Sequence, residues 1–166
     1  MIASEVLFSQ LEDRIDAGFY ATKIHIEERL KTKALNFEPL ETLRNLKFAS
    51  EKTLILMNNE AIAPPELTTK MMNYPSLDEI TEKINLFTKN VVVMEAAKLA
   101  EKAGSILTRN TVLIGGLAAT GKMPVQTESL KEAMRELVPE KYTERNMKAF
   151  ELGYKYVKKK AKLGNF

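Results

Sequence analysis

The chain has 166 residues, 45% hydrophobic and 28% charged, with a formal net charge of +3, values that suit a single soluble domain with a substantial core. It contains no cysteine and one histidine, His25, which excludes a disulfide framework, a thiolate zinc site, an iron–sulfur cluster held by this chain alone and a metal site built on histidines. No apolar run approaches the ~20 residues of a membrane helix, and no basic stretch precedes the first apolar residues as in a signal peptide, so the expected compartment is the cytoplasm.

The first 35 residues read as mixed: a short strand at residues 5–8, helical spacing of Leu11 and Ile15, and strand-period Ile24 and Ile26 running into Glu27, Glu28 and Arg29. His25 lies between those two isoleucines and reads as structural. Residues 34–37 form a short apolar run fit for a buried strand. Pro39 suits the first position of a helix, and Leu40, Leu43 and Leu46 carry that helix to about Phe48. Residues 53–57, Thr-Leu-Ile-Leu-Met, are continuously apolar, as expected of a strand covered on both faces. Asn58 and Asn59 then end it as turn residues.

Residues 61–73 hold Pro64 and Pro65 and read as an irregular connection. Ser76 and Glu79 have the spacing of a capping box, opening a helix to about Lys89 with Leu77, Ile80, Ile84 and Phe87 inward. Residues 91–94 form the next buried strand, and residues 96–103 a short helix closed by Gly104. Thr127 is the expected cap of a helix with Leu130, Met134 and Leu137 inward. The last helix spans residues 140–162, with Phe150, Tyr154 and Val157 on its apolar side. Alternating strands and helices point to a three-layer α/β/α domain over residues 1–166 with a mostly parallel, doubly wound, Rossmann-like sheet.

The most apolar, small-residue-rich part of the chain is residues 110–126, NTVLIGGLAATGKMPVQ. From Gly116 to Lys122 it spells G-x-x-x-x-G-K, the start of a phosphate-binding loop. The next position should carry the Mg²⁺-binding hydroxyl of Ser or Thr. Met123 has none, and Pro124 follows before any helix could aim its amides at a phosphate. The residues therefore favour a buried helix over residues 110–120, ended by Gly121, whose small residues pack closely against the sheet.

Lys155, Lys158, Lys159, Lys160 and Lys162 concentrate positive charge near the end. Cations there complement a helix dipole; the alternative is contact with a nucleic acid or membrane surface, which no arginine–aromatic pattern supports. No serine sits in a nucleophile-elbow pattern and no G-x-G-x-x-G follows a strand. On motifs alone the chain has no self-sufficient active site and reads as a subunit. Its catalytic and metal-ligating residues are expected to be none.

Five motifs occur in one order: FEPLETLRNL from Phe37, YPSLDEI from Tyr74, LAEKAG from Leu99, NTVLIGGLAATGKMPV from Asn110 and ERNMKAFELGY from Glu144. Together they resemble the gamma-type domain of 2-oxoacid:ferredoxin oxidoreductases, with the indolepyruvate-type variant the nearest in pattern, over about residues 37–157. The resemblance implies a subunit in the oxidative decarboxylation of an aryl or other 2-oxoacid to an acyl-coenzyme A, with electrons passing to ferredoxin. It implies thiamine diphosphate and [4Fe–4S] clusters on a large partner subunit, no cofactor on this chain, and no nucleic-acid or membrane partner. The family's opening strand and G-x-G-G-Q-G turn have no counterpart before Phe37, so the unit reads as truncated at its N-terminus. The alternative function is a stand-alone nucleotide- or polyanion-binding module. Pro64, Pro65, Leu67, Met71, Met72 and Tyr74 are the candidate partner-contact residues: an apolar stretch with no period of its own, whose methionines adapt to a partner surface.

Overall fold

The computed structural model describes residues 34–37, 39–44, 46, 49–60 and 74–162. The expectations for residues 1–33, His25 among them, lie outside the described residues. Three strands, β1 (Ala34–Phe37), β2 (Leu54–Asn58) and β3 (Val91–Met94), form a sheet in the order β1-β2-β3. Every pairing is parallel, with Ala34 opposite Leu54 and Ile55 opposite Val91 at the starts of the two ladders. The helices are α1 (Pro39–Arg44), α2 (Leu77–Ile84), α3 (Ala96–Ala103), α4 (Arg109–Ala119), α5 (Thr127–Leu137) and α6 (Glu140–Lys162).

Side chains alternate across a strand, and β2 shows the result directly. All five of its residues are buried. Ile55 and Met57 join Leu46, Ile80 and Ile84 in one core, while Leu54 and Leu56 join Val92, Met94 and the residues of α3, α4 and α6 in another. Helices thus pack on both faces of the sheet. The continuous apolar run follows from this, because neither face of β2 meets water.

The α3–α4–α6 layer is built from small residues. Ala96, Ala100, Ala103, Ala119 and Ala149 are buried. Gly115 of α4 lies where a Cβ would strike the backbone carbonyl of Phe150, and Gly153 of α6 lies where a Cβ would strike that of Val112. The two helices therefore meet backbone to backbone. The glycine run was expected to press on the sheet; only Gly116 does so, facing Met94 Sδ at 2.6 Å and Val157 Cγ2 at 3.1 Å from an ideal Cβ position. The closer approach is helix to helix.

Several boundaries differ from the sequence reading. Helix α1 is described over Pro39–Arg44; residues 45, 47 and 48 of the expected helix lie outside the described residues. Helix α2 ends at Ile84, and Phe87 is 45% exposed, because buried Thr88 draws the chain toward the sheet. Its hydroxyl donates to the carbonyl of Thr53 at 2.8 Å and accepts from the amide of Asn90 at 3.1 Å. Thr127 is the first helical residue of α5; the cap is Gln126, without a side-chain cap bond. Burial along α5 falls from Leu130 through half-buried Met134 to exposed Leu137, so only its first half is sealed against α6. The capping box of α2 and the Gly104 cap of α3, at φ 106°, stand where the sequence placed them.

Candidate functional site

In a parallel α/β sheet the carboxyl ends of the strands are where ligands and functional loops gather. Here that edge carries Phe37, Asn58 and Met94. Asn58 is 7% exposed, and its amide serves two elements. Its Oδ1 accepts from the amide of Ala96 at 3.3 Å, the service that an N-cap side chain normally gives. Glu95, at the N-cap of α3, makes no such bond. The Nδ2 of Asn58 donates to Glu60 Oε2 at 3.2 Å. Arg109, at the start of α4, donates to the same oxygen at 2.8 Å. This half-exposed ion pair contributes about 0.5–1 kcal/mol and ties the exit of β2 to α4.

The other end of the connection is held too. Tyr74 is half-buried, packed on the Ile55–Ile80–Ile84 core, and its phenol oxygen accepts from the amide of Leu40 at 3.0 Å, in the first turn of α1. Of the candidate contact residues, Tyr74 is therefore engaged with its own domain. Pro64, Pro65, Leu67, Met71 and Met72 lie outside the described residues. Sequence reasoning missed Asn58 in this role, Glu60 and Arg109. For Asn58 and Glu60 the usable signal was their place, polar residues at and just after the end of a doubly buried strand; Arg109, at the start of α4, gave none.

The arrangement supports positioning rather than bond chemistry. Among the described residues no group of three or more His, Cys, Asp or Glu could hold a metal ion. Among the described residues three groups have displaced protonation, Glu79, Lys131 and Tyr156. Hydrogen bonds from Ser76 hold the Glu79 carboxyl below its usual range. A hydrogen bond to Glu151 raises Lys131. Burial pushes up the phenol of Tyr156, whose hydroxyl donates to the carbonyl of Val93 at 3.1 Å.

Residues 116–122 form no phosphate cradle. Gly116 to Ala119 are helical, so their amides are committed to the helix. Thr120 Oγ1 donates to the Leu117 carbonyl at 2.6 Å and accepts from the Lys122 amide at 3.2 Å. Gly121, at φ 68°, turns the chain away after the helix, as the sequence indicated.

A family model described as pyruvate ferredoxin/flavodoxin oxidoreductase matches residues 19–156. The match begins upstream of Phe37, where the recognisable motifs start. Proteins named indolepyruvate oxidoreductase subunit IorB are similar to this chain. That of Archaeoglobus fulgidus is 40% identical over 117 residues, 70% of this chain and 58% of its own. That of Pyrococcus horikoshii is 39% identical over 125 residues, 75% of this chain and 62% of its own. That of Methanothermobacter thermautotrophicus is 38% identical over 120 residues, 72% of this chain and 61% of its own. The chain thus spans about six-tenths of the length of the curated relatives it matches.

Proposed function

The chain belongs to the pyruvate ferredoxin/flavodoxin oxidoreductase family, and we propose that it is a subunit of an indolepyruvate-type 2-oxoacid:ferredoxin oxidoreductase. The assembly would decarboxylate an aryl or other 2-oxoacid oxidatively to its acyl-coenzyme A and pass the electrons to ferredoxin. The single observation that carries this reading is the match over residues 19–156, with identities near 40% to IorB subunits.

Thiamine diphosphate and iron–sulfur clusters are the groups such a reaction draws on, and the residues in hand do not fit them. Cluster iron needs thiolates, and the chain has no cysteine. The one G-x-x-x-x-G-K run, where a diphosphate would be sought, is helical from Gly116 to Ala119 and then turns away at Gly121. The groups belong to a partner subunit in this reading, and this chain contributes an interface.

That interface centres on Pro64, Pro65, Leu67, Met71 and Met72, in the connection whose two ends are fixed by Glu60 and Tyr74 at the carboxyl edge. Anchored ends lower the entropy lost when a connecting segment docks. The purified chain alone is expected to show no oxidation of indolepyruvate with a viologen dye. Mixed with a cognate subunit that carries thiamine diphosphate and clusters, it should support that oxidation; a mixture as inactive as the parts overturns the reading. Light scattering on a Met71→Ser, Met72→Ser chain tests the interface. Assembly as tight as wild type removes this connection from it.

A further inference from the structure

The last two turns of α6 carry Lys155, Lys158, Lys159 and Lys162 at the spacing i, i+3, i+4, i+7. That spacing puts all four on one helical face, within about 10 Å along the axis. All four are exposed, and with Tyr154 they line a shallow depression of about 280 Å³. Helix-dipole complementation accounts for only part of this, since the effect fades within the last turn and Lys155 and Lys158 stand before it.

The local electrostatics run against the stripe. Lys155 and Lys159, and Lys158 and Lys162, are like charges at i, i+4, a destabilising spacing. The natural relief for Lys155 is Glu151, one turn earlier, in the favoured Glu-to-Lys orientation. Glu151 is taken instead by Lys131 of α5, at 2.7 Å. None of the four lysines has an ion-pair partner among the described residues. Val157, between them in sequence, is fully buried against the α4 layer, so the stripe sits on a firmly seated helix.

We infer that this stripe is a docking surface for a protein partner with an acidic, carboxylate-rich face, bound transiently and steered by charge. Three observations select that partner. The stripe holds lysine only, without the arginine forks that grip phosphates in pairs. Its aromatic neighbours are engaged: Tyr154 stacks on Phe150 and lies under Lys158, and Tyr156 bonds Val93, which leaves no platform for stacked bases. The exposed large apolar residues, Leu86, Phe87, Ile106, Leu107, Leu137 and Tyr142, all lie elsewhere among the described residues, so no described side chain beside the stripe would enter a lipid surface. Compact ammonium groups over a short span suit fast, salt-sensitive encounter.

The probe is a fluorescein-labelled poly-glutamate peptide of about 20 residues, with anisotropy measured on the full chain at about 20 mM and about 200 mM salt. Two variants remove equal charge: Lys155, Lys158, Lys159 and Lys162 to Gln, and Lys52, Lys83, Lys89 and Lys102 to Gln, with folding of both checked by circular dichroism. The stripe variant should lose at least about tenfold in affinity and the scattered variant less than about twofold, with wild-type binding falling steeply at the higher salt. Equal losses in the two variants, or no binding by wild type, overturn the proposal. So does tighter, stripe-dependent binding of a single-stranded oligonucleotide or of phosphatidylserine vesicles.

Discussion

The two faces of the sheet are packed by opposite means. On the α1–α2 face, branched and long aliphatic side chains, Ile55, Met57, Ile80 and Ile84, fill the space between elements. On the other face, α4 and α6 have shed side chains at the crossing, and Gly115 and Gly153 let backbone touch backbone. The first face is specified by volume and the second by shape. Volume can be redistributed among neighbours when a side chain changes. A carbonyl lying against a glycine has nowhere to go.

The sharpest break in that comparison is Gly153→Ala. Helix propensity alone would favour the change by about 1 kcal/mol. The added methyl would meet the carbonyl of Val112 and the amide nitrogen of Gly116, which forces the two helices apart. A loss of more than about 3 kcal/mol is expected in urea denaturation. A midpoint at or above wild type would mean that the crossing is loose. On the other face, Ile84→Ala deletes a fully buried side chain and should cost about 2–3 kcal/mol, the ordinary cost of a cavity whose walls relax in part. A loss equal to that of Gly153→Ala would erase the distinction between the faces.

Gly116→Ala separates close packing from backbone contact within one helix. Its Cβ would meet the Met94 thioether at 2.6 Å, the end of a flexible side chain that can move. The expected cost is about 1 kcal/mol or less, well below that of Gly153→Ala. If the two alanine variants were equally destabilised, the tolerance would not depend on what the new methyl meets.

What could be read from the sequence divides along the same line. Strands β2 and β3, the Ser76–Glu79 box and the Gly104 cap were legible because each is written in a few adjacent residues. The helix over 109–119 was legible from its apolar, small-residue run. That Gly115 sits against Phe150 was not, because the partner is far along the chain and a glycine run does not say whether a sheet or a helix approaches it. Phe87 and Leu137 continued a helical period past the point where tertiary structure used it: Thr88 pulls one chain into the sheet, and α5 is sealed only along its first half. At the carboxyl edge Asn58 was read as a turn residue; it is instead the last residue of β2, paired with Met94, and the bend comes at Asn59. The bond of Asn58 to Ala96 depends on a parallel neighbour that no local pattern displays, and the Glu60 carboxylate it meets two residues on is fixed by Arg109 of α4. Family membership was legible for a different reason, since five motifs in one order carry far more information than any periodicity.

The smallest expected effect tests whether α2, on the aliphatic face, is held by its local cap in the way its sequence suggests. The Glu79 carboxylate accepts from the Ser76 amide at 2.7 Å and from its hydroxyl at 3.1 Å. Those bonds, the backbone one first, lower its folded pKa from the ordinary 4.5. A carboxyl whose folded pKa lies below its unfolded value adds stability that is complete above the unfolded value and is lost as pH falls through the folded one. Glu79→Gln keeps an acceptor oxygen for the box but removes the charge, and with it the attraction to Lys83 and to the helix N-terminus. Wild type should therefore melt slightly above the variant near neutral pH. The gap should close as pH falls below the ordinary 4.5 and through the lowered folded value. Helix α4 supplies the contrast, since its N-cap Thr108 makes no side-chain cap bond and its start is held by Arg109 on Glu60 instead. A gap between wild type and Glu79→Gln that stays constant across this pH range would show that the carboxylate charge contributes nothing and that α2, like α4, is held by its tertiary contacts.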